Sequence, residues 1–207
     1  MNRKQIVSFI FNTNAIEGNT LTYKETDSVL KGNYPAKARK KDVKEVKNMK
    51  KCIDFVFGYN GEINEKMILG LRLIEMEGVL PDAGHYRNVN VQVGNYFPPV
   101  FQEVQKKMDG FFEWYNDAKD KLHPFELAAL VHLKFVKIHP FRDGNGRISR
   151  LLMNFVLMKR GYPLLNIFDL EKMRYYLVLK KVDFTKKEKP FVDYLFQVYI
   201  RQYKEFI

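Results

Sequence analysis

Two apolar helical patterns that meet at a short polar break constrain this chain more than any other feature. Leu127, Leu130, Val131, Phe135 and Ile138 recur at three- and four-residue spacing, and Leu151, Leu152, Phe155 and Met158 do the same beyond the break. Pro124 suits the first turn of the earlier helix and Gly161 closes the later one, which predicts helices over Pro124 to Ile138 and Asn145 to Arg160. Both stripes read as core. The two helices are expected to pack around the break between them.

The rest of the chain repeats the helical theme. Helical periodicity runs from Gln5 to Ile16, and Thr22 with Glu25 fits a capping box that launches a short helix closed by Gly32. A lysine-rich helix follows and ends at Gly58, with Val43, Val46, Met49, Ile53 and Phe57 on its apolar side. Asn64 caps another through Glu77, and further helices are predicted over Phe101 to Ala118, Asp169 to Val182 and Pro190 to Glu205. Only Gly78 to Pro99 reads differently. There Val89, Val91 and Val93 alternate with polar residues before Gly94-Asn95, a strand followed by a turn. The expected fold is all-α with one short β-hairpin. At 207 residues without a repeat, the chain is expected to form a single domain spanning 1–207.

Charge and composition exclude several function classes. With 46% hydrophobic residues there is material for a core, so disorder is excluded. Leu151 to Met158 is the longest apolar stretch, it is interrupted by Asn154, and it falls far short of the ~20 residues of a membrane span. Polar Asn12, Thr13 and Asn14 cut short the apolar run after Arg3 and Lys4, so no signal peptide is read. A lone Cys52 forms no intrachain disulfide, which makes a reducing cytoplasm the expected compartment. A net charge of +11 points to polyanionic partners. Between Lys37 and Lys51, eight basic residues stand against Asp42 and Glu45, as the solvent face of the lysine-rich helix. No helix-turn-helix signature accompanies that run, so nucleic acid is not the expected partner. His85, His123 and His132 lack metal-ligand spacing.

The polar break carries chemistry. In His139-Pro140-Phe141-Arg142-Asp143-Gly144-Asn145-Gly146-Arg147-Ile148-Ser149-Arg150, Pro140 ends the first helix. Gly144 and Gly146 let backbone N–H groups gather as an anion nest at the start of the next helix, where the helix dipole adds positive potential. Asp143 is an oxygen ligand suited to Mg²⁺, which uses one or two carboxylates plus substrate phosphates. Arg147 and Arg150 lie on one helical face and offer forked donors to phosphate oxygens. His139 stands at the loop entrance as a general base.

These twelve residues resemble the signature of the Fic family of nucleotidyl-transferring enzymes, HPFxxGNGRxxR, at all eight fixed positions. The resemblance extends from Thr13–Thr20 through Ala83–Arg87 and Asn95–Pro99 to Gly161–Pro163 and Tyr175-Tyr176. It implies transfer of AMP from ATP to a hydroxyl side chain of a target protein, or of the chain itself, with pyrophosphate leaving. His139 would then be the catalytic base and Asp143 the Mg²⁺ ligand. Gly144, Asn145 and Gly146 would cradle the phosphates, Arg147 would hold the β-phosphate and Arg150 the γ-phosphate. Ile148 and Ser149 complete the nucleotide-binding run. Val93, Gly94, Asn95 and Tyr96 would border the nucleotide, as would Tyr175 and Tyr176 beside the nucleoside. Asp183 falls where animal members have an asparagine.

The resemblance also implies a flap, within residues 88–100, whose exposed edge pairs with an extended target segment by β-augmentation, and a homodimer. Thr13-xxx-Glu17-Gly18, in the segment 1–20, fits the family's inhibitory motif. There a Glu17 carboxylate paired with Arg150 occupies the arginine meant for the γ-phosphate. Two other readings stand beside AMP transfer. One is removal of AMP from a modified target at the same site, and the other is a basic nucleic-acid-binding regulator with a decayed Fic site.

Overall fold

The computed structural model describes residues 2–80 and 84–204. Ala83 and Glu205, which belong to segments read above, lie outside the described residues. The architecture is all-α. Its helices are α1 (Arg3–Ile16), α2 (Tyr23–Leu30), α3 (Lys40–Gly58), α4 (Glu65–Glu75), α5 (Val104–Ala118), α6 (Pro124–Ile138), α7 (Asn145–Lys159), α8 (Lys172–Thr185) and α9 (Lys189–Gln202), with 3₁₀ turns ahead of α5 and α8. No helix among the described residues is long and apolar enough to cross a membrane.

Several helix starts follow from the side chain that satisfies their free N–H groups. Thr22 and Glu25 form the expected reciprocal box on α2. Asn64 accepts from Met67 N at 2.9 Å to start α4. A second box, Asn2 with Gln5, launches α1 two residues earlier than periodicity alone suggested. Helix α4 stops at Glu75 rather than Glu77.

The α6–α7 pair forms the centre. Leu127 to Leu133 of α6 and Arg147 to Leu157 of α7 are buried without interruption, so these helices are covered on nearly every side. Helices α5 and α9 pack on α6, and α1, α3 and α4 pack on α7. That arrangement gives the first turn of α7 three separate neighbours, and each contributes a carboxylate.

Two expectations about patterning are corrected. The hairpin is not formed. Val93 and Tyr96 exchange both backbone hydrogen bonds, at 2.9 Å each, around Gly94-Asn95, and this is a single antiparallel bridge. The alternating Val89 and Val91 gain no ladder, because the chain returning opposite them reaches Pro98-Pro99, which have no N–H to donate. On the lysine-rich α3, Val46, Met49 and Ile53 are buried as expected, whereas Phe57 is exposed. The two acids of that run, Asp42 and Glu45, are buried while the lysines face solvent.

Candidate functional site

The break between α6 and α7 is shaped by its own side chains. Asn145 turns both ends of its amide onto Phe141: Oδ1 accepts from the Phe141 N–H at 2.9 Å and Nδ2 donates to the Phe141 carbonyl at 2.8 Å. The Asn145 side chain therefore fixes the loop rather than facing a ligand. Gly144 enters α7 with φ +75, in the region that favours glycine. Asp143 accepts from the Gly144 N–H at 2.6 Å through Oδ1 and leaves its other oxygen toward solvent and Arg147, 3.6 Å away. The side chains of Ile148 and Ser149 are buried, Ser149 Oγ donating to the Gly146 carbonyl at 2.8 Å, so neither faces an open site.

His139 occupies the end of α6 with φ +52, left-handed for a residue that is not glycine. Its Nδ1 lies 3.3 Å from the Val136 carbonyl. With the ring proton assigned there, Nε2 is left with its lone pair. Burial holds the imidazole below its ordinary range; the Val136 carbonyl opposes that, and the Arg87 cation acts in the same direction as burial. A neutral histidine with a free ring nitrogen is a competent base.

Arg150 is 1% exposed. Its Nε donates to Thr13 Oγ1 at 2.7 Å, and its Nη2 donates to the Thr13 carbonyl at 3.0 Å and to Glu17 Oε1 at 2.7 Å. Thr13, Glu17 and Arg150 are thus brought together across more than a hundred residues of sequence. Nη1 of Arg150 has no hydrogen-bond partner. The Glu17 carboxylate lies against Gly146 so closely that a Cβ there would run into it. The following Gly18 turns the chain away with φ +90. A carboxylate from α1 therefore sits over the glycine loop and on the second arginine of the motif.

Arg147 is held by residues that the sequence reading did not single out. Its Nε lies 2.8 Å from Glu75 of α4, and its Nη1 lies 3.1 Å from Glu45 of α3. Arg72 Nη1 reaches the other Glu75 oxygen at 3.3 Å. Burial lifts the Glu75 carboxyl to about 7 against the pull of the two arginines. Burial pushes Arg147 down, but Glu75, Asp143 and Glu45 outweigh it and hold it above its ordinary value. Glu75 in turn lies against Gly144, where a Cβ would meet its carboxylate. A signal for these residues existed. Glu45 falls on the same face of α3 as Met49 and Cys52, and Arg72 and Glu75 fall on the face of α4 carrying Ile68 and Leu71.

The flap stands beside the loop. Tyr96 Oη donates to the Lys137 carbonyl at 2.9 Å, and Asp183 pairs with Lys137 at 3.4 Å. Val93, Gly94 and Asn95 are exposed, and Phe97 is 71% exposed. The tyrosine pair divides. Tyr176 keeps an exposed face, and its Oη donates to the Ile16 carbonyl at 3.4 Å beside the Glu17 segment. Tyr175 is buried among Phe191 and Tyr194, with its Oη 2.9 Å from His132 Nε2, so it backs the site without lining it.

This geometry matches known proteins. Residues 62–157 match the model of the Fic/DOC family. A Fic-domain-containing signaling protein from Bacteroides thetaiotaomicron superposes with a TM-score of 0.88 at 32% identity, over 96% of this chain and 84% of that one. The chain belongs to the Fic/DOC family. Fic-1 of C. elegans superposes with a TM-score of 0.91 at 28% identity, over 99% of this chain and 63% of that one. Among curated relatives, the protein adenylyltransferase Fic of Drosophila grimshawi is 36% identical over 192 residues, which is 90% of this chain and 40% of the fly protein. The chain thus spans about 40% of the length of such Fic relatives.

Proposed function

We propose that this Fic chain transfers AMP from ATP to a protein hydroxyl, and that its own α1 holds it inactive. The observation carrying the proposal is the Glu17–Arg150 pair at 2.7 Å, with the carboxylate lying over Gly146. An anionic group already occupies the place that a glycine nest, a helix N-terminus and a buried arginine with a spare donor would offer a phosphate.

With Glu17 withdrawn, the first turn of α7 and Arg150 would take the polyphosphate. His139 Nε2 would accept the proton of the attacking hydroxyl as its oxygen forms a bond to the α-phosphorus. The bond from that phosphorus to the bridging oxygen would break, and pyrophosphate would leave. Arg147, held by two buried carboxylates, would lend positive potential from behind the loop. Asp143, with one oxygen toward solvent, suits a cation that takes one carboxylate and fills its sphere from phosphate and water, so it would hold Mg²⁺. When bound, Mg²⁺ supplies neutralisation of charge on the phosphates. Target segments would seat on the exposed flap edge around Val93 and Phe97.

A second reading, removal of AMP from a modified target, is favoured by one observation. Glu17 places a carboxylate over Gly146 of the loop that His139 opens, which gives that loop two groups able to take a proton. One experiment tests both. Wild type, Glu17→Gly and Glu17→Gly/His139→Ala are incubated with α-labelled ATP and Mg²⁺, and the protein is weighed intact. An AMP adduct in Glu17→Gly alone supports transfer and the brake. Absence of an adduct in all three, together with AMP release from a modified protein that Glu17→Gly loses, would put removal in its place.

A further inference from the structure

Arg87 is 4% exposed and has no carboxylate partner among the described residues. It spends its guanidinium on three backbone carbonyls. Nε donates to His139 at 2.8 Å, Nη1 to Val89 at 2.9 Å and Nη2 to Pro99 at 2.5 Å. Its own N–H donates to the Pro140 carbonyl at 2.8 Å. Val89 and Pro99 are the two feet of the flap. His139 and Pro140 are the residues at which α6 stops and the glycine loop begins.

A buried, uncompensated cation is an expensive choice for a packing role, and a hydrophobic residue of similar volume would fill the space more cheaply. What an apolar side chain cannot do is donate in three directions from one plane, and a lysine cannot do it in a fixed geometry either. Among the described residues the flap has one backbone bridge, Val93–Tyr96, and near its feet the Phe101 N–H donates to Asn90 Oδ1 at 2.9 Å; with no ladder between them, the Val89 and Pro99 carbonyls are tied together by Arg87. His139 carries left-handed φ without being glycine, and such a conformation persists only where its surroundings over-determine it. Its N–H is held by the Phe135 carbonyl at 3.1 Å and its carbonyl by Arg87.

We propose that Arg87 is a positioning residue that makes the flap and the His139 backbone one mechanical unit, so that a target chain seated on the flap is delivered in register with the base. The consequence for catalysis rests on the AMP-transfer reading above; the clamp itself does not. Arg87 touches no reacting atom in this account and acts through His139 and through the flap.

The test has two arms. Amide hydrogen exchange is followed in wild type, Arg87→Met and Arg87→Lys without nucleotide. Loss of charge-assisted bonds should raise exchange in residues 88–100 and in 139–143 together in Arg87→Met, by about tenfold or more, with Arg87→Lys between. The interiors of α6 and α7 should stay at wild-type protection. Should Arg87→Met not fold, Arg87→Lys carries the comparison. Exchange that rises in the flap alone, or in neither segment, overturns the clamp.

In the second arm the same substitutions enter the Glu17→Gly background, and self-labelling with α-labelled ATP is measured. The clamp predicts a kcat lowered roughly 10–100-fold, the scale of a small misplacement of a catalytic group, with little change in KM for MgATP. A raised KM at unchanged kcat would overturn it. If Glu17→Gly itself takes no label, the AMP-transfer reading fails, while the exchange arm still decides the clamp.

Discussion

Arg147 and Arg150 sit one turn apart on α7, and each faces a carboxylate from another helix that is pressed against a glycine of the loop. The two sites differ in what surrounds the carboxylate. Glu75, opposite Arg147 and Gly144, is buried, is shared with Arg72, and is seconded by Glu45. Glu17, opposite Arg150 and Gly146, keeps 25% of its side chain exposed and comes from α1, with the turn at Gly18 directly behind it. Taking the partner from a buried charge strands it and costs several kcal/mol, as it would for Glu75 and its two arginines; Arg150, though 1% exposed, keeps two bonds to Thr13 when Glu17 leaves, so that parting costs less. The same chemistry therefore makes a fixture in one place and a latch in the other.

The strongest way to break this comparison is Glu75→Ala. It leaves two buried arginines short of a partner and opens a hole against Gly144, so a loss of about 3–5 kcal/mol is expected. At a few degrees per kcal/mol, that is a Tm lower by roughly 10 °C. Glu75→Gln keeps the volume and one acceptor oxygen and should lose less than half as much. Thermal unfolding of both variants checks this. A Tm for Glu75→Ala close to wild type would mean that Arg147 is as free as Arg150.

The opposite pattern is expected at the latch. Glu17→Gly should lower Tm by less than Glu75→Ala does, since a quarter of the Glu17 side chain is exposed and Arg150, though buried, keeps its two bonds to Thr13, which leaves a cost of about 1–3 kcal/mol. Self-labelling should rise at least about tenfold, the effect of freeing an interaction worth 1.4 kcal/mol at the phosphate site. A large Tm drop with no gain in labelling would make Glu17 a structural residue and remove the brake.

Which parts of this contrast the sequence carried depends on whether the pairing was local in pattern. The α6–α7 core, the capping box at Thr22 and the meeting of Glu17 with Arg150 were legible, the first two from periodicity and capping chemistry and the third from the resemblance. Glu45 and Glu75 were not, although each lies on an apolar helical face. Their partner Arg147 is 102 residues from Glu45 and 72 from Glu75, and nothing in a single chain says which buried acid meets which buried base. The hairpin was over-read because alternation in Val89, Val91 and Val93 was weighed on one strand only. The opposite side, with Pro98 and Pro99, cannot complete the ladder. Tyr175 was assigned to the nucleoside although its place in the helix points it into the aromatic cluster.

The glycines offer a finer test. A Cβ at Gly146 meets Glu17, and Gly146 has no positive φ to forbid a side chain, so Gly146→Ala should cost about 1 kcal/mol in wild type. Most of that cost should disappear in the Glu17→Gly background. At Gly144 the same substitution meets both Glu75 and a φ of +75, so its cost should be larger and indifferent to residue 17. A double-mutant cycle on unfolding free energy, with a coupling of about 0.5–1 kcal/mol expected for Gly146–Glu17 and none for Gly144–Glu17, decides whether the two sites are independent.

The smallest effect concerns the base. His139 is held below its ordinary pKa by burial first and by Arg87, while Glu17 and Asp143 pull it up. A depressed pKa means that the imidazole stays neutral as pH falls through the ordinary value of about 6.5 and takes a proton only below it, so the acid limb of labelling by Glu17→Gly should lie below that value. Removing Glu17 withdraws one of the upward pulls and should move the His139 ring titration, followed by NMR, further down. Glu75, spent on Arg147 and Arg72, is not among the charges that shape His139, so Glu75→Gln should leave the titration where it is. Equal shifts in the two variants would show that the base does not distinguish latch from fixture. A shift in Glu17→Gly alone ties the brake to the base as well as to the phosphate site.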